Sequence, residues 1–173
     1  MEFDFLGWPA DGPTLRLDWQ EFSYAGKFVM SNTGKAVARE DGEVVAAVSF
    51  NGDRTDDERA WLRYVTVRAN RRGDGIGARL CAFAADRLDE RFERVRIAVN
   101  NPFAYHALHK AGFGWTGETT GIAELVLERP APAGADYAAG LDEYRERDLS
   151  ADEAAFLDAK QGASAPATVE PPR

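Results

Sequence analysis

Residues 62–80 read Leu-Arg-Tyr-Val-Thr-Val-Arg-Ala-Asn-Arg-Arg-Gly-Asp-Gly-Ile-Gly-Ala-Arg-Leu, and the rest of the chain is organised around them. The first half of this stretch is rich in β-branched and aromatic residues, which predicts a strand. Gly73, Gly75 and Gly77 follow at alternate positions, and a helical pattern begins at Ile76. Glycine lets the backbone take up positive φ and approach a ligand closely. The first amides of a helix have no intrahelical partner and sit at its positive end. A strand, a glycine-rich turn and a helix start together predict an anion site, most often for a pyrophosphate.

The charges agree. The chain has formal net charge −8, yet residues 63–79 carry Arg63, Arg68, Arg71, Arg72 and Arg79 against the single acid Asp74. A solvated surface turn is the plainer reading of a glycine cluster, and a positive island in an acidic chain weighs against it.

Arg72-Gly73-Asp74-Gly75-Ile76-Gly77 resembles the Arg/Gln-x-x-Gly-x-Gly/Ala signature of the GNAT superfamily of N-acetyltransferases, and Val65-Thr66-Val67 looks like that family's preceding strand. Asn101-Pro102-Phe103-Ala104 and Ala111-Gly112-Phe113 resemble its second block, in the right order and separation. The resemblance implies an α+β fold, a mixed and mostly antiparallel sheet with a central β-α-β crossover and helices on both faces. It implies transfer of an acetyl group from acetyl-coenzyme A to a small-molecule or peptide amine within a ternary complex. The pyrophosphate would lie on Arg72, Gly73, Asp74, Gly75, Ile76, Gly77 and Ala78. The pantetheine arm would pair with the backbone of Val65, Thr66 and Val67 like an added strand. The amide near Val67 would polarise the acetyl carbonyl, and Asn101 would be a pantetheine contact, a helix cap, or both.

One departure concerns the acid. Many family members carry a tyrosine seven residues after that asparagine, placed to protonate the departing thiolate, and here the position is Leu108. At about 100° per residue, Tyr105 lies roughly 40° around the helix from Asn101 and His109 roughly 80°. Side chains lean toward the helix N-terminus, which favours His109, so both Tyr105 and His109 are candidate catalytic acids. Asp56, Asp57 and Glu58 could attract or deprotonate an amine, or be a solvated loop. Two other classes compete. A nicotinamide-binding unit needs Gly-x-Gly-x-x-Gly directly after its strand, which the chain lacks. A coenzyme A-binding sensor or scaffold without chemistry fits the missing tyrosine.

At 173 residues and 45% hydrophobic, the chain is long enough for one domain with a real core. No apolar run has the length of a membrane helix, and the acidic start lacks the basic region of a secretory signal, so a cytoplasmic location is expected. The single Cys81 rules out an internal disulfide and a cysteine metal cluster, and no metal site is expected. The 21 basic residues against 29 acids argue against nucleic acid as partner. Seventeen of those basic residues are Arg, a balance that resembles high-salt proteins as well as ordinary acidic ones. A homodimer is left open.

In chain order, residues 1–13 are expected to be an irregular aromatic arm, residues 14–17 a first strand, and residues 18–24 a short helix with capping-box spacing. Residues 35–39 and 43–50 flank Asp41-Gly42, a hairpin signal. A helix from Ile76, a strand over 95–99, a helix over 102–111 with Asn101 as cap, and strands over 112–116 and 123–128 follow. Residues 1–160 are expected to form one domain. From about 134 it carries an extension with helices over 137–147 and 151–160. Residues 161–173 are expected to be a disordered tail.

Overall fold

A computed structural model describes residues 1–173. The strands β1 (Glu2–Gly7), β2 (Gly34–Glu40), β3 (Glu43–Gly52), β4 (Arg59–Val67), β5 (Arg94–Val99), β6 (Gly114–Thr119) and β7 (Leu125–Arg129) follow the sheet order β1-β2-β3-β4-β5-β7-β6. The helices are α1 (Ile76–Leu88), α2 (Pro102–Lys110), α3 (Tyr137–Arg145) and α4 (Ala151–Ala159). The β4-α1-β5 crossover and the mixed, mostly antiparallel sheet are those expected. No helix is long and apolar enough to cross a membrane.

The chain divides into two compact units, Met1–Val95 with Glu170–Arg173, and residues 96–169. In the first, β1 to β4 form an antiparallel meander. The β2–β3 turn is Asp41-Gly42, with φ of 51° and 80°. Positive φ at both central residues matches the right-handed twist of the flanking strands. One face of this meander carries Ala36, Ala38, Ala46 and Val48, all fully buried. These small residues let α1 lie close, and α1 answers with Ala78, Cys81, Ala82 and Ala85. The other face carries Val37 and Ala47, closed by Phe28 with Leu6, Leu15 and Leu17.

Three expectations at the N-terminus need correction. The first strand is Glu2–Gly7, not residues 14–17, so residues 1–13 are no irregular arm. Phe3 and Phe5 alternate with Glu2 and Asp4. Phe3 meets Phe83 of α1 (centroids 5.7 Å), while Asp4 accepts from Arg39 Nε (2.8 Å). That period of two was present in the sequence but obscured by the Gly and Pro residues after it. Residues 14–17 instead cross the apolar face, with the Leu15 amide donating to the Phe28 carbonyl (2.9 Å). The expected helix over 18–24 is a run of turns followed by a 3-10 helix, Ala25–Val29. The Asp18 carboxylate accepts from the amide of Gln20, two residues on rather than three. Tyr24 then takes φ +60°, which no continuing helix admits.

In the second unit, β6 and β7 pair antiparallel, and α2 packs with α3 and α4. Asn101 caps α2 by accepting from the Ala104 amide (2.9 Å). Ser150 and Glu153 form a reciprocal capping box on α4. Tyr105 of α2 is fully buried, and a Cβ on Gly140 of α3 would stand 2.0 Å from its hydroxyl oxygen, so only glycine fits there. Beyond α4 the chain has no regular element, and the Val169 amide donates to the Lys110 carbonyl (2.8 Å).

Candidate functional site

The glycine turn lies within the first unit. After Val67 a 3-10 turn, Ala69–Arg71, leads to Gly73 (φ +86°) and Gly75 (φ +77°), and Gly75 is the residue from which α1 starts. A side chain at either glycine would disfavour this backbone. A Cβ at either would meet nothing within 4 Å, so the backbone of the turn faces open space. Gly77 answers a different need: a Cβ there would stand 3.4 Å from Val67 Cγ2, and its absence lets α1 begin tight against β4. No side chain caps α1, which leaves its first amides for an anion.

The arginines divide by their partners. Arg68 is held by Glu43 (3.5 Å) and Glu21 (3.9 Å), and Arg71 by Glu40 and Asp74 (3.1 Å to the latter). Arg72 bonds only to uncharged groups, donating through Nε to the Val67 carbonyl (3.3 Å) and through Nη2 to Ser23 Oγ (3.0 Å). Its positive charge therefore remains uncompensated beside the turn, while its guanidinium is fixed. A glycine cradle, open helix amides and one fixed, unpaired cation fit a pyrophosphate.

Val65, Thr66 and Val67 pair with Val48, Ala47 and Ala46 of β3. Beside the end of β4, a cavity of ≈ 440 Å³ is lined by Arg16, Asp18, Glu21, Phe22, Glu43 and Arg68 among others. Asp56, considered for the amine, is bound to Arg94 (2.7 Å). Its carboxyl is held below the usual range, first by the Glu58 amide and further by Arg94 and Arg59, although burial opposes this. An acid so committed is a poor base at neutral pH.

Asn101, Tyr105 and His109 lie in the second unit. The Asn101 oxygen is taken by its cap, and its Nδ2 donates to Asn100 (3.3 Å). The Tyr105 hydroxyl donates to the Tyr137 carbonyl (2.9 Å), so its one proton is committed, and burial pushes its pKa up. His109 Nδ1 lies 2.9 Å from the Tyr105 carbonyl and must donate, because a carbonyl only accepts. In the neutral ring Nε2 then carries no proton, and burial disfavours the imidazolium by lowering the pKa, with the carbonyl opposing. Leu108 is buried in the same helix. Sequence reasoning missed Lys35 and Ser49, polar residues on the inward face of β2 and β3. The signal was a lysine and a serine in phase with buried positions.

The chain matches the acetyltransferase (GNAT) family model over residues 2–113. It belongs to that family. Among solved structures it is similar to nourseothricin acetyltransferase, at 24% identity and TM-score 0.50 over 58% of this chain and 66% of that one. It is also similar to ribosomal-protein-alanine N-acetyltransferase from Brucella melitensis, at 22% identity and TM-score 0.50 over 56% and 68%. The chain thus spans about two thirds of each. These likenesses bear on the fold. No curated protein matches the chain.

Proposed function

We propose that the protein transfers an acetyl group from acetyl-coenzyme A to the amine of a small molecule or peptide by direct attack in a ternary complex. The observation that carries this reading is the turn before α1, with its open positive-φ glycines, uncapped helix amides and the uncompensated Arg72. Backbone amides from Gly73 to Ala78 and the Arg72 guanidinium would hold the pyrophosphate. The backbone of residues 65–67 would hold the pantetheine arm, and the amide near Val67 would stabilise the oxyanion of the tetrahedral intermediate. The thiolate takes its proton from solvent in this reading, because the protons of Tyr105 and His109 face carbonyls.

Acetyl-coenzyme A consumption over a panel of alkylamines, amino acids and peptides tests it. Amine-dependent release of free thiol, with the acetylated amine identified by mass, is the expected result. Binding without turnover on any amine would instead support the sensor reading, which the absence of an aligned acid at Leu108 favours.

A further inference from the structure

We propose that Thr66, Ser49 and Lys35 form a proton relay that takes the proton from the attacking amine. The inference rests on the acetyl-transfer reading. β4 runs Arg-Ala-Trp-Leu-Arg-Tyr-Val-Thr-Val and brings no carboxylate to its own surface, so a base must be reached indirectly. Strand register places Lys35 opposite Ser49 and Ser49 opposite Tyr64, while Thr66 sits diagonally from Ser49, opposite Ala47. All these side chains share the face that Phe28, Val37 and Ala47 otherwise make apolar.

Their hydrogen bonding is unusual. Ser49 is 0% exposed and Thr66 3%, yet neither hydroxyl has a protein partner, and the same holds for the Thr33 hydroxyl two residues before Lys35. Buried polar groups are nearly always satisfied, so unpaired hydroxyls gathered on one face call for a function or for bridging water. Direct cross-strand neighbours stand about 5 Å apart at Cβ and diagonal ones about 7–8 Å, spacings that a water bridges. Lys35 ends the row at 0% exposure, donating to the carbonyls of Met30 and Thr33. A neutral amine has two N–H donors for these two carbonyls and a lone pair left over to accept a proton. Burial lowers the Lys35 pKa toward that neutral form.

The groups packed around Lys35 come from three elements. The loop offers carbonyls, β3 offers Ser49, and β1 offers backbone at Gly7. Tyr64 of β4 lies one strand further, with Lys27 over its ring (5.5 Å) and Tyr24 beside it (5.4 Å). Further along β1 and β2, Asp4 and Arg39 pair with each other. In the step itself the ammonium of the bound amine passes one proton through the hydroxyls to Lys35, which frees its lone pair. The nitrogen then bonds to the thioester carbon as the C–S bond breaks, its second proton goes to solvent, and the thiolate takes a proton from solvent. Lys35 returns its proton along the same row when the product leaves.

The test compares a primary alkylamine, protonated at pH 7, with hydroxylamine, which is neutral there and does not depend on a base to attack. Ser49→Ala and Thr66→Val should lower the ratio of alkylamine to hydroxylamine turnover at least about tenfold, the lower range of a lost base being 10²-fold. Both should melt close to the parent, because they break no hydrogen bond to another protein group. Lys35→Met should also move the acid limb of the kcat/KM profile, which a purely structural lysine would leave in place. An unchanged ratio in folded Ser49→Ala and Thr66→Val overturns the relay, as does a fall in the ratio that only tracks a fall in Tm. A parent that acetylates no amine of the panel, hydroxylamine included, refutes the acetyl-transfer reading itself, and the relay falls with it.

Discussion

Tyr105 shows how a residue can have the right chemistry and the wrong surroundings. Its helical angle from Asn101 suits an acid, but the structure spends its hydroxyl on the Tyr137 carbonyl, and Gly140 leaves just enough room for that contact. His109 is bound through Nδ1 to the Tyr105 carbonyl within the same aromatic group. An aligned acid is worth about 10²–10⁴-fold in rate. If solvent protonates the thiolate, Tyr105→Phe and His109→Gln each keep kcat within about threefold of the parent, well short of that range. Steady-state kinetics on the best amine of the panel, with folding checked by circular dichroism, decides this. A loss of about a hundredfold or more in either folded variant, with cofactor affinity unchanged, would make that residue the acid after all. The sequence could not show these commitments, because both acceptors are backbone carbonyls, one of them contributed by a helix more than thirty residues away.

Among the elements, the α2–α3–α4 group carries a pH dependence. His106 Nδ1 lies 2.7 Å from the Tyr137 hydroxyl and its ring meets Phe156. Burial, then the charges of Lys160 and Lys110, push its pKa down to about 4, and burial lowers His109 too. Both are therefore neutral in the fold, whereas the unfolded chain binds protons at the ordinary histidine value of about 6.5. Stability is fully present above that value and falls as pH drops from about 6.5 toward 4, where the unfolded state holds more protons. Urea midpoints between pH 7.5 and 4.5 should fall in the parent, and less steeply in the double variant His106→Gln, His109→Gln. A parent midpoint that is flat across this range would contradict the buried neutral histidines. At this scale the sequence was informative wherever a local signal settled the element: Asp41-Gly42 for the hairpin and Asn101-Pro102 for α2. It misled at residues 14–24, where a capping spacing was present but an Asx turn and the left-handed Tyr24 decided the backbone.

The whole molecule is acidic, with 29 carboxylates against 21 basic residues. Self-repulsion of a net −8 weakens as the Debye length shrinks from about 10 Å at 0.1 M salt to about 3 Å at 1 M. The melting temperature is expected to rise over that range of potassium chloride, and a constant value would remove the argument for a high-salt origin. The family and the crossover were legible from two short blocks because their glycines and caps act locally. The polar row on β2, β3 and β4 was not, since β2 and β3 must be in register before Lys35 and Ser49 become neighbours. Nor was the fate of each arginine, which depends on acids as distant as Glu40 and Glu43.

The central claim is that the turn before α1 holds the pyrophosphate of coenzyme A. Isothermal titration of acetyl-coenzyme A into the parent and into Gly75→Val tests it most directly, because Gly75 takes φ +77° and its Cα faces open space where the ligand backbone would lie. The account predicts saturable binding to the parent and none detectable in a variant whose circular dichroism matches the parent. Equal affinity in a folded Gly75→Val protein would contradict it.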